Sequence, residues 1–169
     1  MPVTEQLLTG GIDVRHWRQI TNCFGLGYPT PRMNYLVATD GSAESNQAVT
    51  YAAEHAAAMD ATLTVVHVIT AEPEFVGGEL VQESEATLLE TGQRRLDKAR
   101  EVAEETGAAV EEELLSGRPA DAIVEYAAEV GADAIYVGHR GLSKKREQMM
   151  GSVAKTIVDR ATVPVTVVR

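Results

Sequence analysis

The sequence predicts an α/β fold in which helices cover a parallel sheet, and three observations predict it. Short apolar runs of strand length alternate with longer stretches whose apolar residues recur at helical spacing, from Met33 to the end of the chain. Two strand ends run into polar, glycine-containing junctions, Thr39-Asp40-Gly41-Ser42 and Gly138-His139-Arg140-Gly141, as strand-to-helix crossings do. A length of 169 residues with 44% hydrophobic content suits one domain with a full core.

The elements follow in order. Asn34 to Thr39 is the first strand, and Ala43 to Met59 a helix whose Ala48, Val49, Ala52, Ala53 and Ala56 form an apolar stripe. Thr62 to Ile69 is the second strand. A loop with Pro73, Gly77 and Gly78 leads to a long helix, Glu83 to Thr106, with Leu89, Leu96, Ala99, Val102 and Ala103 facing inward and Gly107 ending it. The third strand, Ala109 to Leu115, carries Glu111, Glu112 and Glu113 in a row and therefore suits a sheet edge. Pro119 to Glu129 is a helix, Asp133 to Val137 the fourth strand, Gly151 to Arg160 the last helix and Val163 to Val168 the fifth strand. Pro164 places that strand at an edge as well, and its uncharged valines make this edge the candidate for pairing with a second copy.

Residues 1–32 differ in character. They hold Trp17, Cys23 and Phe24, end in Gly25-Leu26-Gly27-Tyr28-Pro29-Thr30-Pro31, and sustain neither strand nor helix period. They read as an arm outside a domain spanning 33–169, or as a wrongly assigned start ahead of Met33. A formal net charge of −10 argues against nucleic acid as the partner. The single cysteine excludes an intramolecular disulfide and a cysteine-based metal cluster. No apolar run is long enough to span a bilayer, and Met1 to Gly10 lacks the regions of a signal peptide, so no membrane partner and a cytoplasmic location are expected.

The chemistry concentrates in the pattern Gly138-x-x-Gly141, nine residues, Gly151-Ser152. It joins a buried strand to a helix start, where free backbone N–H groups and the positive end of the helix dipole favour an anion and glycine admits close approach. The pattern is neither the Walker run nor the dinucleotide Gly-x-Gly-x-x-Gly run, so neither a P-loop NTPase nor an NAD enzyme is supported. Asp40, at the end of the first strand, reads equally as a turn or cap residue and as a site carboxylate beside the glycine loop. His67 lies in an apolar strand and reads as a satisfied core histidine. His139 suits either a phosphate contact or an exposed turn, Lys144, Lys145 and Arg146 either phosphate neutralisation or a solvated tip, and His16 and Cys23 are too isolated to form a nucleophile pair.

Five separated motifs, Ala38-Thr39-Asp40-Gly41-Ser42, Val66-His67-Val68-Ile69, Gly117-Arg118-Pro119, the glycine loop with Gly151-Ser152, and Val163-Pro164-Val165-Thr166-Val167-Val168, together resemble the universal stress protein family over Met33 to Arg169. The resemblance implies an open, Rossmann-like five-stranded parallel sheet in the order 3-2-1-4-5 with helices on both faces. It also implies ATP binding, since the chain keeps the glycine pattern of the ATP-binding subgroup. By position it places Ala38, Thr39 and Asp40 on the adenosine side, the Val68 backbone at the adenine edge, and Gly138, Arg140, Gly141, Gly151, Ser152 and Val153 around ribose and phosphates. Mg²⁺ would be held by phosphate oxygens and water. The expected function is a dimeric, ATP-binding regulator or sensor of stress with no dedicated catalytic residues. The alternatives are a slow ATPase or nucleotidyl-transfer enzyme, and a nucleotide-free adaptor acting through its dimer surface.

Overall fold

The computed structural model describes residues 32–70, 74–76, 79–81, 84–140 and 150–169. Arg32–Arg169 forms one compact unit, and residues 1–31 lie outside the described residues. The elements are β1 (Asn34–Ala38), α1 (Ala43–Ala58), β2 (Thr62–Ile69), β3 (Glu74–Val76), β4 (Glu79–Val81), α2 (Glu85–Glu104), β5 (Ala109–Ser116), α3 (Pro119–Glu129), β6 (Ala134–Gly138), α4 (Ser152–Arg160) and β7 (Val165–Val168). β5, β2, β1, β6 and β7 lie side by side in that order, every neighbouring pair parallel. Counted along the five parallel strands this is 3-2-1-4-5, with the glutamate-rich strand at one edge and the valine strand at the other.

Strand alternation divides the core between the two faces. Tyr35, Val37, Leu63, Val65 and Tyr136 point to the face covered by α1 and α2, where Ala48, Ala52, Ala53 and Ala56 let α1 lie close to the sheet. Leu36, Val66, Ile135 and Val137 point to the other face, against Ile123 and Ala127 of α3 and Ala154 and Ile157 of α4. The central strands are buried on both faces, as a parallel sheet requires. On β5 Val110, Glu112 and Leu114 are half-buried, with Val110 and Leu114 packed on the α1–α2 side and Leu115 on the other, and Glu112 reaches the Arg100 guanidinium at 3.6 Å.

Three expectations need correction. The loop after β2 contains an antiparallel pair, Glu74↔Val81, Phe75↔Leu80 and Val76↔Glu79, too short to leave an alternating pattern in the sequence. The long helix begins at Glu85, because the Ser84 side chain accepts the Thr87 N–H and caps it there. Leu89 does not face inward, being 43% exposed about two turns before Leu96, from which the helix settles on the sheet with Ala99 and Ala103.

Candidate functional site

β1 and β6 are neighbours in the sheet, so the Asp40 junction and the glycine junction both stand at its carboxyl edge. Ligands of open α/β sheets bind there. At the β1–α1 junction the backbone turns sharply, with Gly41 at φ +80°, a conformation side chains rarely tolerate. The Asp40 carboxylate accepts the Ser42 N–H at 3.0 Å, and the Ser42 hydroxyl accepts the Ser45 N–H at 3.1 Å, capping α1. A chain of hydroxyls locks the turn. Gly41 N–H donates to Thr39 Oγ1 at 3.2 Å, Thr39 Oγ1 lies 3.1 Å from Ser45 Oγ, and Ser45 Oγ donates to the Ser42 carbonyl at 3.0 Å. Thr39 is buried, so its hydroxyl shapes the loop that carries Asp40.

His67 braces the same junction from β2. Its Nδ1–H donates to the Thr39 carbonyl at 2.7 Å, which leaves the Nε2 lone pair facing Arg95 Nη1 of α2 at 3.3 Å. The Arg95 chain in turn crosses Gly41, with Cγ 3.2 Å from where a Cβ would stand. This is the satisfied core histidine expected. Burial holds its pKa below the ordinary 6.5, Arg95 acts in the same direction, and the Thr39 carbonyl and Asp40 oppose it. The folded protein therefore keeps His67 neutral while the unfolded chain still takes up a proton near 6.5, so this group's stabilisation is complete above that pH. It is lost as pH falls through that value toward the lower folded-state one. Urea midpoints measured at about pH 7.5 and about pH 5.5 should show a smaller acid loss for His67→Gln than for the parent; equal losses would remove His67 from the acid response.

Val68 follows on β2, two strand positions past the place where β1 ends. The Val66 carbonyl accepts Thr39 N–H, and the Ile69 carbonyl accepts Gly117 N–H from the opposite side. Backbone groups alternate along a strand, so the N–H and C=O of Val68 point toward β1's side of the sheet. There Ala38↔Val66 is already the last pair. The Val68 backbone edge thus opens beside Asp40. Ala38 is half-buried and closes β1 on the α3–α4 face.

The second junction is equally tight. A Cβ on Gly138 would stand 3.0 Å from the backbone C and O of Glu44 in the first turn of α1, and 3.0 Å from the Arg140 carbonyl. Gly138 thus lets α1 and the glycine loop close against each other. His139 is not an exposed turn residue: it is 9% exposed, its N–H donates to the Val168 carbonyl and its own carbonyl accepts the Gly151 N–H at 2.9 Å. β6 and β7 in effect pair one position further than the sequence pattern shows. Because His139 holds the Gly151 N–H, the donors of α4 that have no partner among the described residues are those of Ser152, Val153 and Ala154, the first intrahelical bond being Lys155 N–H to the Gly151 carbonyl at 3.0 Å. Unlike α1 and α2, α4 has no side-chain cap: Gly151 stands at the N-cap with φ −61° and ψ 151°. Gly141 and the basic residues Lys144, Lys145 and Arg146 lie outside the described residues.

Sequence reasoning missed the face of α2 beside this site. A cavity of about 250 Å³ is lined by Asp40 and Gly41 at this junction, by Asn46 of α1 and by Thr91, Arg94, Arg95 and Lys98 of α2. In the sequence these cations are three among the many charges of a long helix, and only the position of Gly41 under Arg95 reveals them. Among the described residues no group of three His, Cys, Asp or Glu side chains is gathered to hold a metal, and no helix is long and apolar enough to cross a membrane.

The comparisons with known proteins agree with this architecture. A model of the universal stress protein family matches residues 32–169. A universal stress protein of Methanocaldococcus jannaschii is 36% identical over 140 residues, 79% of this chain and 80% of the relative. Among solved structures, a universal stress protein in complex with cAMP is 31% identical at a TM-score of 0.65, covering 81% of this chain and 97% of its own. One from Archaeoglobus fulgidus in complex with dAMP is 28% identical at a TM-score of 0.63, covering 81% of this chain and 98% of its own. A match that runs through both junctions and both sheet edges leaves one reading of the fold, and the chain belongs to the universal stress protein family.

Proposed function

We propose that the protein binds ATP at the carboxyl edge of its sheet and acts as a nucleotide-dependent regulator or sensor in a stress response. The observation that carries this is the convergence of an open backbone edge at Val68, the carboxylate of Asp40, the close approach at Gly138 and the uncapped N-terminus of α4. These supply what an adenine edge, a ribose hydroxyl and a phosphate chain each need: an N–H and C=O pair, a carboxylate acceptor, and backbone donors on a positive helix end. Ala38 and Thr39 shape the adenosine side, and Gly138, Arg140, Gly141, Gly151, Ser152 and Val153 surround ribose and phosphates. The relatives solved with cAMP and dAMP support an adenine nucleotide as the ligand class. Mg²⁺ accompanies the triphosphate, bound by phosphate oxygens and water.

Calorimetric titration with ATP and with adenosine tests the site. Asp40→Ala should weaken both ligands by at least about tenfold, on the order of 1.4 kcal/mol, because the carboxylate serves the half that they share. Unchanged affinity for both in a folded variant would sink the assignment and leave an adaptor in front. Turnover of ATP in the presence of Mg²⁺ separates a slow ATPase or nucleotidyl-transfer enzyme from a sensor.

The working unit in this reading is a cytoplasmic homodimer paired through Val163 to Val168, and residues 1–32 are an arm outside the nucleotide-binding domain. The edge position of β7 and its lack of charged residues support the pairing. Val167→Lys should shift the protein toward monomer in sedimentation velocity, since it sets like charges against each other across a symmetric edge. An undisturbed dimer would move the interface elsewhere.

A further inference from the structure

The cavity beside Asp40 has a charge pattern at odds with the rest of the molecule. In a chain with 25 acidic and 15 basic residues, it gathers Arg94, Arg95 and Lys98 within about one turn of α2. Arg94 and Lys98 are four apart on one helix face, where like charges destabilise a helix. The described ion pairs engage Arg32, Arg100 and Arg160, and none engages these three cations. Arg100, the next cation along the helix, shows the contrast, reaching both Glu104 at 3.8 Å and Glu112 at 3.6 Å.

Two of the guanidinium groups are already oriented. Arg95 is held by His67 Nε2 and by its passage over Gly41, and Arg94 Nη2 donates to Thr91 Oγ1 at 3.2 Å. Oriented guanidinium groups and a neighbouring lysine favour a phosphate, whose oxygens accept several charge-assisted hydrogen bonds at once. The topology sets this cavity against the other junction. α2 covers β2 and β5 while the uncapped α4 follows β6, so the basic cavity and the α4 terminus flank Asp40 from opposite sides of β1.

We propose that this cavity is a second phosphate subsite, continuous with the nucleotide site and fitted to a nucleotide that carries a phosphate on its ribose in addition to the 5′ chain. The proposal rests on the nucleotide reading above. With the sugar at Asp40, the 5′ phosphates run toward α4 and a 2′ or 3′ phosphate enters the cavity, where Arg94, Arg95 and Lys98 bind it.

Calorimetry with AMP, adenosine 2′,5′-bisphosphate and adenosine 3′,5′-bisphosphate tests this at one ionic strength. At least one bisphosphate should bind about tenfold or more tightly than AMP, and the gain should shrink with added salt. The double variant Arg94→Gln/Lys98→Gln, at two exposed helix positions, should abolish the gain and leave AMP affinity unchanged. Equal binding of all three ligands would overturn the subsite and spare the nucleotide site. A gain that survives the double variant would place the second phosphate elsewhere and also overturn it. Failure of AMP and ATP alike to bind would overturn the nucleotide reading itself, and this proposal with it.

Discussion

Gly138→Ala is expected to destabilise the domain by about 2 kcal/mol, the usual scale of overpacking a well-filled site, and to weaken ATP binding at the same time. The added methyl would stand 3.0 Å from three backbone atoms, Glu44 C, Glu44 O and the Arg140 carbonyl. None of these can rotate away as the end of a side chain could. Relief therefore requires the first turn of α1 or the loop after β6 to move, and those two segments hold the halves of the site. For a domain of this size about 2 kcal/mol corresponds to a fall in Tm of several degrees. Thermal or urea unfolding of the variant gives the first number and calorimetry with ATP the second. A variant with the parent's stability would show that the two junctions are not pressed together as described.

The fold was legible because its signals are long and mutually consistent. Strands of four to eight residues alternate with helices of 9 to 20 in the parallel sheet, and Glu111 to Glu113 and Pro164 mark the two edges. Elements whose signal is short were not legible. The β3 and β4 strands have three residues each, below the length at which alternation can be distinguished from chance. His139 failed for a different reason. A histidine between glycine and arginine looks like a turn, but its burial comes from β7, a partner 29 positions away that captures its N–H at the Val168 carbonyl.

The candidate site was legible at its two glycine-bearing junctions, because turns, close approaches and helix starts restrict residue type locally. What the sequence concealed is the support behind them. His67 looks like any apolar-strand histidine until the Thr39 carbonyl and Arg95 are seen on its two nitrogens. Arg94, Arg95 and Lys98 look like a solvated helix face until α2 is laid beside Gly41. Both arrangements depend on the crossing of α2 over β2, which no local pattern encodes.

At the other junction, the structure changes what Gly151 is expected to do. Its N–H already belongs to the His139 carbonyl, and φ −61° with ψ 151° is extended backbone that any residue adopts. Neither a donor of its own nor conformational freedom accounts for glycine here. What remains is the absent side chain, which puts no capping oxygen on the N–H groups of the first turn of α4. Gly151→Ser should therefore act in opposite directions on the two measurable quantities. As an N-cap, its hydroxyl would accept the N–H of Val153 or Ala154, stabilising α4 by a few tenths of a kcal/mol. The same hydroxyl would take a donor from the phosphates and weaken ATP. Gly151→Val, with bulk and no capping oxygen, should cost up to about 1 kcal/mol in stability and weaken ATP by at least about tenfold, on the order of 1.4 kcal/mol. Unfolding curves and ATP calorimetry on both variants separate the roles. Parent-like ATP affinity in both would show that phosphates do not reach the α4 terminus, whereas a stabilised Gly151→Ser protein with weakened ATP binding is the outcome expected when cap and phosphate compete for the same N–H groups.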